Sequence, residues 1–278
     1  LVAKDQSKRN PVTRPPTSQA GESLTSRANE RMTVWFFAAG VASAFVSSAL
    51  VASFHAWTGS RNTLVVLASA ALAAVVWAGW LIRGNWGRVR RELLGAKGER
   101  AVGDVLDALR RELGYFVLHD VPIHRDGKVV ANVDHILIGP VGVIVIETKT
   151  LMKPPAPSKG GRKAVIAFDG KRVVADGLPL ERDPVAQVRR NAEDVRAQIR
   201  RGNGDAEVPA VVVWPVLLFP GWWVEETKGT DFGLLNPDRL FAWIRGRERN
   251  HGADLLSEER AAQLCESLRT LTAEGRVW

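Results

Sequence analysis

The sequence predicts a mixed α/β domain preceded by two transmembrane helices. Two uncharged apolar stretches of bilayer-spanning length, residues 33–54 and 63–82, supply the membrane part. From about residue 92 the pattern changes to amphipathic helices alternating with short apolar strands, as in a soluble α/β core. The chain has 278 residues, 46% of them hydrophobic, enough for one sizeable core besides the apolar segments. A formal net charge of +8 and a pI near 10 suit nucleic acid or anionic lipid as a partner. Cys265 is the only cysteine, which excludes an intrachain disulfide and a thiolate zinc site.

Residues 1–30, with Pro11, Pro15 and Pro16 among many polar side chains, read as a disordered cytoplasmic tail. Lys4, Lys8, Arg9, Arg14, Arg27 and Arg31 precede the first span, and Arg83, Arg88, Arg90, Arg91, Lys97 and Arg100 follow the second. The positive-inside bias therefore puts both termini in the cytoplasm and the short 55–62 loop outside, a multi-pass protein of the inner (plasma) membrane. Trp35, Trp57, Trp80 and Trp86 fall near the expected interfaces with the lipid bilayer. A cleaved signal peptide is disfavoured by the long Pro/Ser-containing leader. Buried helices of a soluble protein are disfavoured by the Ala/Ser/Gly-rich, uncharged character of both segments.

In the soluble part, Gly95 to Leu113 reads as a helix whose apolar stripe is Val102, Val105, Leu106, Leu109 and Leu113. Tyr115 to Ile123 reads as a strand, followed by two apolar strands around Gly139-Pro140-Val141-Gly142. Pro and Gly make residues 151–163 a loop, and a further hairpin is expected around Asp169-Gly170. Pro184 to Arg201 is a helix with Asp183 as N-cap and Pro184 in the first position. Val208 to Phe219 is a buried strand interrupted by Pro215, and two shorter helices follow near 237–245 and 258–272.

The chemistry concentrates on the hairpin. If its turn is centred on Pro140 and Val141, Gly139 lies opposite Gly142, Ile138 opposite Val143 and Asp134 opposite Glu147, with Lys149 on the same face. Opposed side chains are roughly 4.5–5.5 Å apart at Cβ, so two carboxylates there repel unless a cation sits between them. Such a pair beside an ammonium suits a divalent-metal site for phosphodiester hydrolysis. Glu99 shares the helix face of Val102 and Leu106 and points toward the sheet, although by itself it could be a helix-start glutamate favoured by the macrodipole. Gln187 and Arg190 share one face of the 184–201 helix, where they could meet a phosphate or solvent. His119, His124 and His135 have no metal-type spacing, and His135 alternates away from Asp134 into a packing or surface role. A second Glu-Thr-Lys, at 226–228, has no acidic strand opposite and receives no role.

Gly95-Ala96-Lys97-Gly98-Glu99-Arg100, Val133-Asp134-His135, the run from Gly142 to Lys149, and Asp183-Pro184-Val185-Ala186-Gln187 together resemble the nuclease-related domain, NERD, over residues 92–206, leaving 207–278 as a C-terminal extension packed on it. That family is assigned to the PD-(D/E)XK restriction-endonuclease-like superfamily. The resemblance implies a restriction-endonuclease-like mixed sheet flanked by helices. It also implies a Mg²⁺ (or Mn²⁺) site made by Glu99, Asp134 and Glu147, with Lys149 and Gln187 assisting catalysis. Family members are commonly fused to membrane segments. The chain departs from the family pattern at Thr150, where Asn is common, and in the Pro-rich loop that follows.

The expected function is a membrane-anchored, metal-dependent nuclease acting on DNA or RNA at the cytoplasmic side, with Arg189 and Arg190 as backbone contacts. A membrane-tethered module that binds nucleic acid without turnover is the alternative. A third reading is a structural membrane protein whose acidic residues only form internal ion pairs.

Overall fold

The computed structural model describes residues 22–56, 61–125, 128–153, 165–202, 211–227, 229–251 and 255–274. Residues 1–21 of the expected tail, the tip of the 55–62 loop and most of the 151–163 loop lie outside them. The described residues divide into two units, one within residues 22–97 and one within residues 98–274.

The first unit holds α1 (Glu22–Ala56) and the beginning of α2 (Arg61–Leu113). Residues 22–30, which composition placed in the tail, are the first turns of α1. Arg31 Nε meets Glu92 Oε1 at 3.1 Å, tying the two helices together. Thr25–Leu50 is long and apolar enough to cross a membrane, and its large apolar side chains Phe36, Phe37 and Phe45 all stand exposed. It is the one such helix among the described residues, so two spans are not supported there; the second expected span, 63–82, includes side chains outside the described set. That stretch belongs to α2, which continues without a break through the charged residues after 82 instead of ending before a separate helix at 95.

The second unit is built on a five-stranded sheet in the order β1-β2-β3-β7-β9. Its strands are β1 (Phe116–Arg125), β2 (Lys128–Gly139), β3 (Gly142–Thr148), β7 (Val213–Leu218) and β9 (Gly233–Leu235). The first three are antiparallel, and β3, β7 and β9 run parallel, giving the mixed sheet. The β2–β3 register is the expected one, with Gly139 opposite Gly142 and Ile138 opposite Val143. Both glycines are required. A Cβ at 139 would lie 2.5 Å from the Tyr115 ring. Gly142 has φ +108°, and a Cβ there would lie 2.3 Å from the Val212 carbonyl oxygen. Pro215 does not interrupt β7, because pairing with β9 begins only at Val216 and the donor it lacks costs no bond on that side.

Strand alternation sends the two side-chain sets to opposite faces. Ile136, Ile138, Val143 and Val145 pack against Val195 and Ile199 of α3 (Pro184–Gly202) and Leu264 and Leu268 of α5 (Glu258–Glu274). Leu137, Ile144 and Ile146 pack against Val102, Leu106 and Leu109 of α2 and Leu240 and Ile244 of α4 (Leu240–His251). Helices thus cover both faces of the sheet. A four-stranded sheet, order β6-β5-β4-β8, is formed by β4 (Val165–Phe168), β5 (Val173–Ala175), β6 (Leu178–Pro179) and β8 (Trp223–Val224). Its Ile166 and Val173 share a cluster with Val185 and Val188 at the start of α3.

Candidate functional site

The β2–β3 ladder is paired as far as His135–Ile146, which brings Asp134 and Glu147 to the end of the hairpin together. Asp134 Oδ2 accepts the Thr148 backbone N–H at 2.6 Å. Glu147 follows four fully buried apolar residues and is itself 3% exposed, on the face that α3 covers. A carboxylate there needs donors, and three side chains supply them. Lys149 Nζ and Gln187 Nε2 each donate to Glu147 Oε1 at 2.6 Å, and Asn191 Nδ2 donates to Oε2 at 3.0 Å. Lys149 Nζ also donates to Gln187 Oε1 at 3.0 Å, closing a triangle of Lys149, Glu147 and Gln187.

Helix α3 is aimed by its own cap. Asp183 Oδ1 accepts from the Val185 and Ala186 amides at 2.9 and 3.1 Å, and Pro184 begins the helix where no N–H is needed. Gln187 and Asn191, one turn apart, then fall on the same side. Asn191 was not expected at the site. Its spacing of four from Gln187 is the signal available in the sequence, and it does not distinguish a buried donor from a solvated one.

Glu99 is buried near the acidic pair, where its charge reaches Asp134. Gly98 lets α2 come this close, since a Cβ there would lie 1.6 Å from Thr150 Oγ1. Burial pushes the Asp134 carboxyl well above its usual range, and the Glu147 and Glu99 charges push it further, against the Thr148 amide and Lys149. Burial likewise raises Glu147, in spite of Lys149, Gln187 and Asn191. The site is short of positive charge. Its oxygen-only acidic donors are the kind a hard divalent cation takes. Among the described residues, however, no group of three His, Cys, Asp or Glu side chains stands close enough to hold a metal ion.

The other expected residues divide. Arg190 is exposed and lines a groove of about 700 Å³ together with Gln187, Asn191, Arg182 and Asn132. Arg189 is held by Asp231, with bonds of 3.0 Å from Nε and 2.5 Å from an Nη, and lies over the Phe232 ring. His119 and His135 are buried with their Nδ1 atoms 2.9 Å apart, a packed pair on the opposite face of β2 from Asp134.

Compared with known proteins, residues 94–220 match the family model NERD, the nuclease-related domain. That segment runs from the turn of α2 before Glu99 through β7 and contains every side chain of the acidic site. No curated protein matches the chain, and no solved structure does.

Proposed function

From a chain whose residues 94–220 match the nuclease-related domain, we propose a membrane-anchored nuclease that hydrolyses phosphodiester bonds of DNA or RNA with Mg²⁺ or Mn²⁺. The observation that carries this reading is the meeting of Asp134 and Glu147 at one hairpin end, with Lys149 bound to Glu147 and to Gln187. Asp134 and Glu147 would hold the ion, with Glu99 completing or orienting its shell. The ion supplies polarisation of the phosphate and a lowered pKa for the attacking water. Burial raises both carboxylates, and the charges of Glu147 and Glu99 raise Asp134 further, so a cation at this place would relieve the cost of ionising them.

The protein's own groups do the rest. Lys149 would orient the attacking water or stabilise charge building on phosphate oxygens. Gln187 keeps that ammonium aimed. Arg190 and Arg182 contact the backbone in the groove beside Gln187, an interaction that brings affinity without sequence information. Arg189, taken up by Asp231, is the weaker of the two adjacent candidates for that task.

The anchor is proposed to comprise both 33–54 and 63–82, with both termini cytoplasmic. The apolar Thr25–Leu50 segment, with Phe36, Phe37 and Phe45 exposed, and the exposed Val75, Val76, Trp77 and Trp80 on α2 support it. Carbonate extraction of the membrane fraction tests insertion: release of the chain into the supernatant would overturn it.

The test of turnover is cleavage of single-stranded DNA, duplex DNA and RNA by the full chain in detergent, with Mg²⁺ or Mn²⁺ and then with EDTA. Metal-dependent product is expected. Product formation unchanged in Asp134→Ala and Glu147→Ala would refute the assignment. One observation favours the alternative, a silent nucleic-acid-binding module: both Glu147 oxygens already carry protein donors. Retention of a labelled strand, with no product under any metal, would establish that reading.

A further inference from the structure

A second cavity lies at the outer edge of the five-stranded sheet. It occupies about 460 Å³ between β9, the start of α4 and the segment after β8. Arg247 lines it, with its guanidinium carbon 4.3 Å from the centre of the Trp214 ring and 5.0 Å from that of Trp243. The two indoles are perpendicular, 6.1 Å apart, and Trp214 is fixed by its Nε1–H bond of 2.9 Å to the Val141 carbonyl. The guanidinium therefore sits in a rigid aromatic corner.

Burial pulls Arg247 below its usual pKa, and among the described residues no carboxylate bonds to it. Glu248, the adjacent acid, is engaged by Arg245 and Tyr115. A second cation, Arg239, lines the same cavity and stacks over the half-exposed Trp223 ring at 5.1 Å. Two fork-shaped donors held by aromatic faces, one of them partly dehydrated, are suited to a phosphate. The cavity is far larger than a phosphate and has Trp243 in its wall. Glu225 and Glu226, exposed along the lining, disfavour a dense polyanion and can accept from the amino groups of a base.

We propose that this cavity binds one phosphate-bearing nucleotide unit of a single-stranded nucleic acid, with Arg247 and Arg239 as its phosphate contacts. The inference rests on the nuclease reading for its choice of ligand. The sheet relates the two places: Thr148 pairs with Leu218, and Leu218 with Leu235, a lining residue of the cavity. Two strand spacings, about 10 Å, thus separate the end of β3 from the cavity wall, a span that a few nucleotides cover.

The test uses the full chain in detergent and a short, fluorescently labelled single-stranded oligonucleotide in EDTA, so that binding is read without turnover. Arg247→Met keeps the stem against the indoles and removes the charge, and Arg239→Gln changes an exposed side chain. Each is expected to weaken binding about tenfold and to reduce the salt slope by about one. Unchanged affinity and slope in both variants would overturn the proposal, leaving the arginines as covers for tryptophan. Should Arg247→Met fail to fold, Arg239→Gln decides alone. Mg²⁺-dependent cleavage is measured in parallel. Cleavage with unaltered affinity sinks this inference and spares the nuclease, whereas altered affinity with no product in the parent protein does the reverse.

Discussion

Gly98 and the Thr150 hydroxyl compete for one volume, since a Cβ on residue 98 would fall 1.6 Å from Thr150 Oγ1. The helix that carries Glu99 therefore approaches the segment leaving β3 through bare backbone. Gly98→Ala is expected to destabilise by about 1–3 kcal/mol through overpacking, seen as a lower urea midpoint. Adding Thr150→Gly removes the obstructing side chain and should recover part of the loss. A Gly98→Ala protein as stable as the parent would show that the helix can shift freely.

Asp134→Asn keeps an acceptor for the Thr148 amide and removes a charge that burial, Glu147 and Glu99 all disfavour. Without metal, this variant should melt about 2–4 °C higher, the equivalent of about 1 kcal/mol. Added Mg²⁺ should raise the melting temperature of the parent and leave the variant unmoved. The paired scans, with EDTA and with Mg²⁺, check both halves, and an equal metal response in the two proteins would remove Asp134 from the ligand set.

Asn191 donates to Glu147 and positions its second oxygen. Asn191→Ala should raise the Mg²⁺ concentration for half-maximal cleavage about 10–100-fold, as for other partners of metal-binding side chains. A metal titration of initial rates reads this directly. If the maximal rate falls with no change in the metal midpoint, Asn191 is not acting through Glu147.

Burial holds the His119 and His135 imidazoles below their usual pKa, and in each case it is the main cause. The unfolded chain then binds protons that the folded chain refuses, so stability is full above the unfolded value near 6.5 and falls as pH drops below it. Asp107 and Asp120 oppose this at His119, while Arg110 reinforces it. Urea midpoints between pH 7 and 5 should fall less steeply in a His119→Phe, His135→Leu double variant than in the parent. Parallel slopes would show that the pair does not contribute.

How far these features could be read from the sequence depends on the range of the interaction. The hairpin was legible because strand period and a short turn fix which side chains face each other, and Gly139 and Gly142 have no freedom to slip. The cap of α3 was legible for the same reason, being local. Asn191 was not, since a helix asparagine looks alike whether it meets water or a buried carboxylate. Arg189 looked as available as Arg190 until Asp231, far along the chain, met it. Pro215 read as a break because its neighbour β9 is a long-range partner whose pairing starts one residue later.

The three donors around Glu147 have a consequence for how the protein matures. Lys149 serves as a resident placeholder, so the Glu147 carboxylate has a counter-charge as soon as the chain folds. On the proposed reading, an ion arriving at Glu147 would exchange with that ammonium rather than fill a void, at a speed set by how readily the one side chain swings clear.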